Sequence, residues 1–420
     1  MVWVVSDTYR SAVGGSTVHP MTSVRRRETF GLASRRYSMY QTISAEQFRD
    51  RLDAGEQFTV VDTRGDESFE SWRIADSIQY FYKPFHEFDL ADFEAETGLG
   101  PDDTIVTMCA KGKASEDLVA ELSDVGYENV AVVDGGMREW SAVYDHVQIE
   151  YDGFTIIQLQ RRAKGCLGYV IASDGEAAVV DATQHTAAFQ EAAATVDAEI
   201  VAVFDTHIHA DHISGGRELA AEIDVPYYLG ADAVDRGVEY AYEPLAANEV
   251  VSVGGLDIKA LETPGHTSEM VSYLLGHEAV LTGDTIFVDS LGRTELQFGD
   301  GDAATGAELL YESLHRTLMA EPDSINVLPG HFSVANDGTT SITPGEPVDT
   351  TIGLLRTGLD LLARDREAFV GALTAQLPEK PPNYEQVIGI NSGQQTIESQ
   401  TEAIELELGP NRCAAEVDAN

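Results

Sequence analysis

Thr206-His207-Ile208-His209-Ala210-Asp211-His212 places three imidazoles and a carboxylate within six residues, directly after the apolar, β-branched run Ile200 to Phe204. An H-x-H-x-D-H spacing cannot share one face of a helix, because residues two apart point to opposite sides, whereas a loop leaving a strand can converge all four groups. The chain is thereby constrained to a sheet that carries a ligand-bearing loop at a strand end. Histidine is scarce, 11 in 420 residues, and two more occupy Gly-flanked turns, Pro264-Gly265-His266-Thr267 and Pro329-Gly330-His331. Asp284 follows the same logic in Thr282-Gly283-Asp284-Thr285, after the apolar run Ala279 to Leu281. Clustered spacing of this kind is far more specific than a lone loop His, and it points to a metal site.

Length predicts two or three domains with real cores. The formal net charge is -44, from 71 acidic and 27 basic residues, and only six of the latter are Lys. Such a surface repels itself at low ionic strength, but at molar salt the Debye length falls to roughly 3 Å and the penalty largely vanishes. The composition therefore fits a salt-saturated cytoplasm, as in halophilic archaea. The acids are spread along the chain rather than gathered in a tail, and nucleic-acid binding is disfavoured. No stretch reads as a transmembrane span, so a cytoplasmic enzyme without a membrane partner is expected. Cys109, Cys166 and Cys413 form no C-x-x-C pair, which suggests a reducing compartment with one reactive thiol. Residues 1–38 break the pattern with six Arg against Asp7 and Glu28. Met1 to Val5 is too short for a signal-peptide core, so a basic extension ahead of a natural start near Met39 is expected.

From Met39 to about 146, apolar runs at Phe58 to Val61, Thr104 to Met108 and Asn129 to Val133 alternate with helical stretches at Ala45 to Leu52 and Ser115 to Val125. This predicts a small α/β domain with a parallel sheet. A second domain over 147–340 opens with strand-like Thr155 to Leu159, Gly168 to Ile171 and Ala177 to Val180. Asn336 to Pro347 reads as a loop. Residues 341–420 read as a helical extension, Thr351 to Leu377 in part, a Pro break at Pro378 to Pro382, and an ill-defined tail.

Cys109 ends an apolar run and begins Cys109-Ala110-Lys111-Gly112-Lys113-Ala114-Ser115, which leads into a helix. A thiol there meets unpaired backbone N–H groups, the positive end of a helix dipole and the charges of Lys111 and Lys113, all of which favour thiolate. Gly112 lets the loop curl into a nest for an anion or a persulfide sulfur. Residues 42–145 resemble the rhodanese (sulfurtransferase) family in Val61-Asp62-Thr63-Arg64 with Phe69 to Ile78, in the Cys109 to Ser115 loop, and in Val132-Val133-Asp134-Gly135-Gly136 with Trp140. The resemblance implies that Cys109 carries a sulfane sulfur as a persulfide. Ala110 and Ala114 stand where many members place Arg.

Residues 147–335 resemble the metallo-β-lactamase superfamily, with the series His207, His209, Asp211, His212, His266, Asp284 and His331 complete. The resemblance implies an αββα sandwich. Leu281-Thr282-Gly283-Asp284 followed by Leu291-Gly292-Arg293-Thr294-Glu295-Leu296-Gln297 looks like the persulfide dioxygenase branch. Gly165-Cys166-Leu167-Gly168-Tyr169, Pro381-Pro382-Asn383-Tyr384 and Gly409-Pro410-Asn411-Arg412-Cys413 resemble dioxygenases fused to rhodanese modules. That branch implies one Fe(II) per chain held by His207, His266 and Asp284, leaving positions open for a persulfide and O₂. His209, Asp211, His212 and His331 then form a supporting shell or a second-metal position, with orientation by hydrogen bonding favoured. Arg293 is a candidate clamp for the carboxylate of a thiol carrier. Cys166 is expected to pack, and the reactivity of Cys413 is open.

The resulting expectation is a two-module enzyme that oxidises a low-molecular-weight thiol persulfide with O₂ to sulfite. Sulfur transfer through Cys109, with sulfite or thiosulfate as partners, is coupled to it. A zinc-dependent thioester hydrolase of the glyoxalase II type and a non-catalytic sulfur carrier are the alternatives. The thiol carrier and any homo-oligomeric state stay open.

Overall fold

A computed structural model of the protein describes residues 40–415. The basic extension and the start expected near Met39 lie outside the described residues. The first domain is a five-stranded parallel sheet in the order Gln41–Ile43, Val130–Val133, Ile105–Met108, Thr59–Asp62 and Ile78–Gln79. Its central strands are short and apolar because helices cover both faces. Phe48 of helix Ala45–Asp53 packs with Trp140 on one side, and Leu118 and Leu122 of helix Lys113–Asp124 pack on the other.

The second domain is the expected αββα sandwich. A seven-stranded mixed sheet runs Glu243–Leu245, Tyr227–Gly230, Glu199–Phe204, Glu176–Val180, Leu167–Ser173, Phe154–Arg161 and Tyr144–Tyr151. A six-stranded one runs Val250–Val253, Leu256–Glu262, Val271–Leu275, Ala279–Gly283, Asn326–Pro329 and Thr350–Thr351. Strand Leu167–Ser173 shows how alternation builds the layers: Leu167, Tyr169 and Ile171 enter the core between the sheets, while Val170 and Ala172 face the outer helices. Each such aliphatic or aromatic side chain, fully buried, contributes about 1.5–3 kcal/mol against leaving it exposed. Helices Thr186–Thr195 and Gly216–Ile223 cover the first sheet, and Ala303–Arg316 and Arg366–Ala375 cover the second.

Two expectations need correction. The sheet of the second domain already begins at Tyr144, so a boundary at 146 falls inside a strand. The segment read as an ill-defined tail is folded: helices Tyr384–Asn391 and Gln400–Leu406 are followed by a stretch that ends on fully buried Cys413. Its few buried apolar residues, Val387, Ile390 and Ala403, are scattered, and buried Asn391 and Glu407 pair with the site described below.

Candidate metal centre

Each sequence-predicted ligand leaves a strand end or a tight turn. Strand Glu199–Phe204 delivers His207, strand Ala279–Gly283 delivers Asp284, strand Asn326–Pro329 delivers His331, and the turn after strand Leu256–Glu262 delivers His266. Gly283 has φ 48°, and a Cβ there would come within 2.6 Å of Thr206 Oγ1, so only glycine lets these two strand ends meet.

His207, His266 and Asp284 are buried and offer ligand atoms all within 4.8 Å of one another. Hydrogen bonding fixes the tautomers. Asp181 accepts from Thr206 N at 2.7 Å and from Thr206 Oγ1 at 3.0 Å, so the hydroxyl oxygen is left to accept from His207 Nδ1 at 2.9 Å. His266 Nδ1 donates to the Arg293 carbonyl at 2.6 Å. Both Nε2 lone pairs therefore point inward, 3.8 and 3.5 Å from Asp284 Oδ2. Burial, with His209 nearby, keeps His207 well below the usual imidazole value, and burial lowers His266, a direction that favours the neutral form a metal requires. His207 Nε2 and Asp284 Oδ2 are buried with no hydrogen-bond partner. Orphaned lone pairs converging in this way fit a cation with two imidazoles and one carboxylate.

Of the remaining groups, His209 Nδ1 and Nε2 and His212 Nε2 are, like His207 Nε2, buried without a hydrogen-bond partner, whereas His331 and Asp211 engage one another. His331 Nδ1 meets Asp284 Oδ1 at 2.6 Å and its Nε2 meets Asp211 Oδ2 at 3.0 Å. Burial would lower His331, but Asp284 and Asp211 outweigh it and hold the ring well above its usual value. Burial would raise Asp284, but His331 first, then His207 and His266, keep it below the ordinary carboxylate range. His209 is grouped with Asp181 and Asp205 rather than with the His207 trio, its Nε2 3.3 Å from Asp181 Oδ1. Cys166, Asp211, His212 and His331 form a second buried group with ligand atoms within 4.8 Å, and Cys413 joins Asp284 and His331 in a third. Cys166 is thus buried as expected, yet its Sγ also donates to Asp211 at 3.2 Å.

Two residues that sequence reasoning missed hold the ligand loop. Asn391 Nδ2 donates to the carbonyls of His209 and His212 at 2.9 and 2.8 Å, and Glu407 accepts from Ile213 N at 3.0 Å while pairing with fully buried Arg161 at 3.2 Å. The resemblance of the neighbouring Gly409 to Cys413 stretch was the available signal.

Arg293 takes a different role from the clamp expected of it. It is 1% exposed, with Nε on Glu295 at 2.6 Å, Nη1 on the carbonyls of Glu379 and Arg412 at 2.9 Å each, and Nη2 on the Pro378 carbonyl at 2.8 Å. Nη2 also pairs with Glu295, so its donors are consumed by Glu295 and by the C-terminal strap, residues 378–415, leaving none for a ligand.

Cys109 follows strand Ile105–Met108 and is buried, with Ser115 Oγ 3.4 Å from its Sγ. Gly112 caps the next helix at φ 83°, where a Cβ would lie 2.9 Å from Gly135 N. Lys113 is exposed. Lys111 Nζ is 2.6 Å from Glu405 Oε1, which also accepts from Arg138 at 2.6 Å, so the strap shares its charge. A cavity of about 350 Å³ opens beside His331, with Phe287, Glu379, Asn411 and Arg412 in its wall. Another of about 270 Å³ lies beside Ala110, with Arg64, Trp72, Met137, Pro382 and again Arg412.

Comparison with known proteins agrees with this architecture. Residues 44–143 match the rhodanese-like domain family and residues 161–331 the metallo-beta-lactamase superfamily. A hydroxyacylglutathione hydrolase of Acidiphilium cryptum is 33% identical over 197 residues, 45% of this chain and 73% of that protein. A hydroxyacylglutathione hydrolase of Dictyostelium discoideum is 35% identical over 144 residues, 32% of this chain, which spans 49% of that relative. A metallo-beta-lactamase from Staphylococcus aureus superposes with a TM-score of 0.53 at 24% identity over 59% of this chain and 75% of that one, a likeness of fold. No helix among the described residues is long and apolar enough to cross a membrane. The chain belongs to the metallo-β-lactamase superfamily, with a rhodanese-like domain preceding its αββα sandwich.

Proposed function

We propose that the protein is a cytoplasmic Fe(II)-dependent persulfide dioxygenase coupled to sulfur transfer through Cys109. The observation that supports this is the trio itself: His207 and His266 turn their Nε2 atoms toward Asp284 Oδ2, whereas both His331 nitrogens meet carboxylates. Two His and one carboxylate leave open positions of the kind oxygenases use. An iron ion held by His207, His266 and Asp284 would supply the one-electron chemistry that lets O₂ react with a closed-shell sulfur.

The chain's own residues do the rest. His331 and the Asp181–Thr206 pair hold Asp284 and His207 in the ligating orientation. Phe287, 6.0 Å from the His331 ring, gives the cavity an apolar wall against water. The overall change is one persulfide, one O₂ and one water to one thiol, one sulfite and two protons. Cys109, as a persulfide, hands its outer sulfur to an acceptor or takes one from a donor.

A second reading is favoured by the relatives' names: a zinc-dependent thioester hydrolase, with Asp211, His212 and His331 completing a second metal position. Purification at high salt, metal analysis, and O₂ uptake on glutathione persulfide separate the two. Zinc occupancy with no O₂ uptake after anaerobic iron loading rejects the dioxygenase.

A further inference from the structure

The cavity beside His331 and the cavity beside Ala110 share two wall residues, Pro410 and Arg412. The backbone of this shared wall is fixed from both sides. Asn411 N donates to the Lys164 carbonyl at 2.8 Å, the Arg412 carbonyl accepts from Arg293 Nη1, and Arg293 N donates to the Cys413 carbonyl, the last two both at 2.9 Å. The Arg412 side chain is not fixed in the same way. Its Nη1 pairs with Glu379, whose side chain is 84% exposed, and among the described residues its Nε and Nη2 meet no hydrogen-bond partner.

Other cations near the two cavities each hold at least one firm ion pair, apart from exposed Lys113. Arg64, in the wall beside Ala110, uses Nε and Nη2 on Asp62 and Nη2 on the Trp72 carbonyl. Lys111 and Arg138 share Glu405. Arg412 is also the one Lys or Arg among the described residues lining the cavity beside His331. In a chain of net charge -44, a small dianion reaching either cavity from bulk meets a repulsive field, and Arg412, which borders both cavities and keeps unused donors, is a guanidinium that can hold it.

We infer that Arg412 anchors a sulfur oxyanion, sulfite or thiosulfate, at the wall between the two cavities, one of which borders Ala110 next to Cys109, for exchange with the sulfane sulfur of Cys109. The inference deepens the dioxygenase reading, on which it rests for the origin of the sulfite. In the exchange, the sulfite sulfur lone pair attacks the outer sulfur of the Cys109 persulfide and a new S–S bond forms. The Cys109 Sγ–S bond breaks, Cys109 leaves as thiolate, and thiosulfate is released. The reverse reaction loads Cys109, and neither direction needs an oxidant or reductant.

The test uses the full-length protein with Cys109 loaded as persulfide and sulfite as the varied substrate. Arg412→Gln is expected to raise the KM for sulfite about tenfold with kcat within about twofold of the parent, and Arg412→Lys to recover part of the loss. Glu379→Gln, which releases Arg412 from its ion pair, is expected to lower that KM, a direction that damage to the strap does not produce. Under O₂ with glutathione persulfide, Arg412→Gln should also release more sulfite relative to thiosulfate than the parent. An unchanged KM for sulfite in Arg412→Gln, or a KM for Glu379→Gln that does not fall, overturns the inference. Failure of the dioxygenase reading has a separate signature: the parent protein takes up no O₂, while the sulfite KM shifts persist.

Discussion

His331 Nδ1 lies 2.6 Å from Asp284 Oδ1, so the ring braces the carboxylate that faces His207 and His266. Its second nitrogen lies 3.0 Å from Asp211 Oδ2, so both ring nitrogens face carboxylates. Asp284 in turn has one oxygen committed and one turned toward His207 and His266.

Replacing His331 should therefore weaken metal binding without removing a ligand. His331→Ala is expected to lower iron affinity about 10- to 100-fold, measured by competition with a calibrated chelator. His266→Ala, which deletes a ligand, should abolish stoichiometric binding. Equal losses in the two variants would contradict the assignment.

Thr206 turns the His207 ring through its hydroxyl. Thr206→Val keeps the shape and loses the relay, so iron affinity should fall by about tenfold, while Thr206→Ser keeps it. Chelator competition reads both variants, and an unchanged affinity in Thr206→Val would show that the relay is idle.

Glu407 links the strap to the ligand loop through Arg161 and Ile213 N. Burial would raise this carboxyl, but Arg161, Lys164 and His212 outweigh it and hold it below the usual range. Its contribution is therefore complete above the unfolded carboxylate value, about 4.3, and is lost as pH falls through the lowered folded value. Glu407→Gln should cost about 3 kcal/mol at neutral pH, measured by denaturant unfolding at constant salt, and the gap to the parent should narrow in acid.

The loop His207 to His212 was legible because its spacing after a strand is local, and His266 and Asp284 because each sits in a Gly-flanked turn at a strand end. The Cys109 loop was legible for the same reason, as strand, turn and helix follow in order. Arg293 was misread because the carbonyls that saturate it, from Pro378, Glu379 and Arg412, are 85 to 119 residues away and leave no mark in local pattern. Asn391 and Glu407 escaped likewise: a polar side chain bonded to a distant backbone looks like any surface residue until the strap is folded over it.

Separation of the two chemistries follows from the separation of their residues. Cys109→Ser should eliminate sulfurtransferase activity while leaving O₂ uptake on preformed glutathione persulfide within about twofold of the parent, since Cys109 touches none of the metal ligands. Asp284→Ala should do the reverse. Loss of both activities in either variant would show that the sites act in series.

The most direct test of the central claim is metal stoichiometry measured together with O₂ consumption on the full-length protein loaded anaerobically with Fe(II). The expected result is one iron per chain and one O₂ consumed per glutathione persulfide, with sulfite or thiosulfate formed. Two tightly bound zinc ions per chain, no O₂ uptake in the iron-loaded protein, and rapid hydrolysis of a glutathione thioester would contradict it.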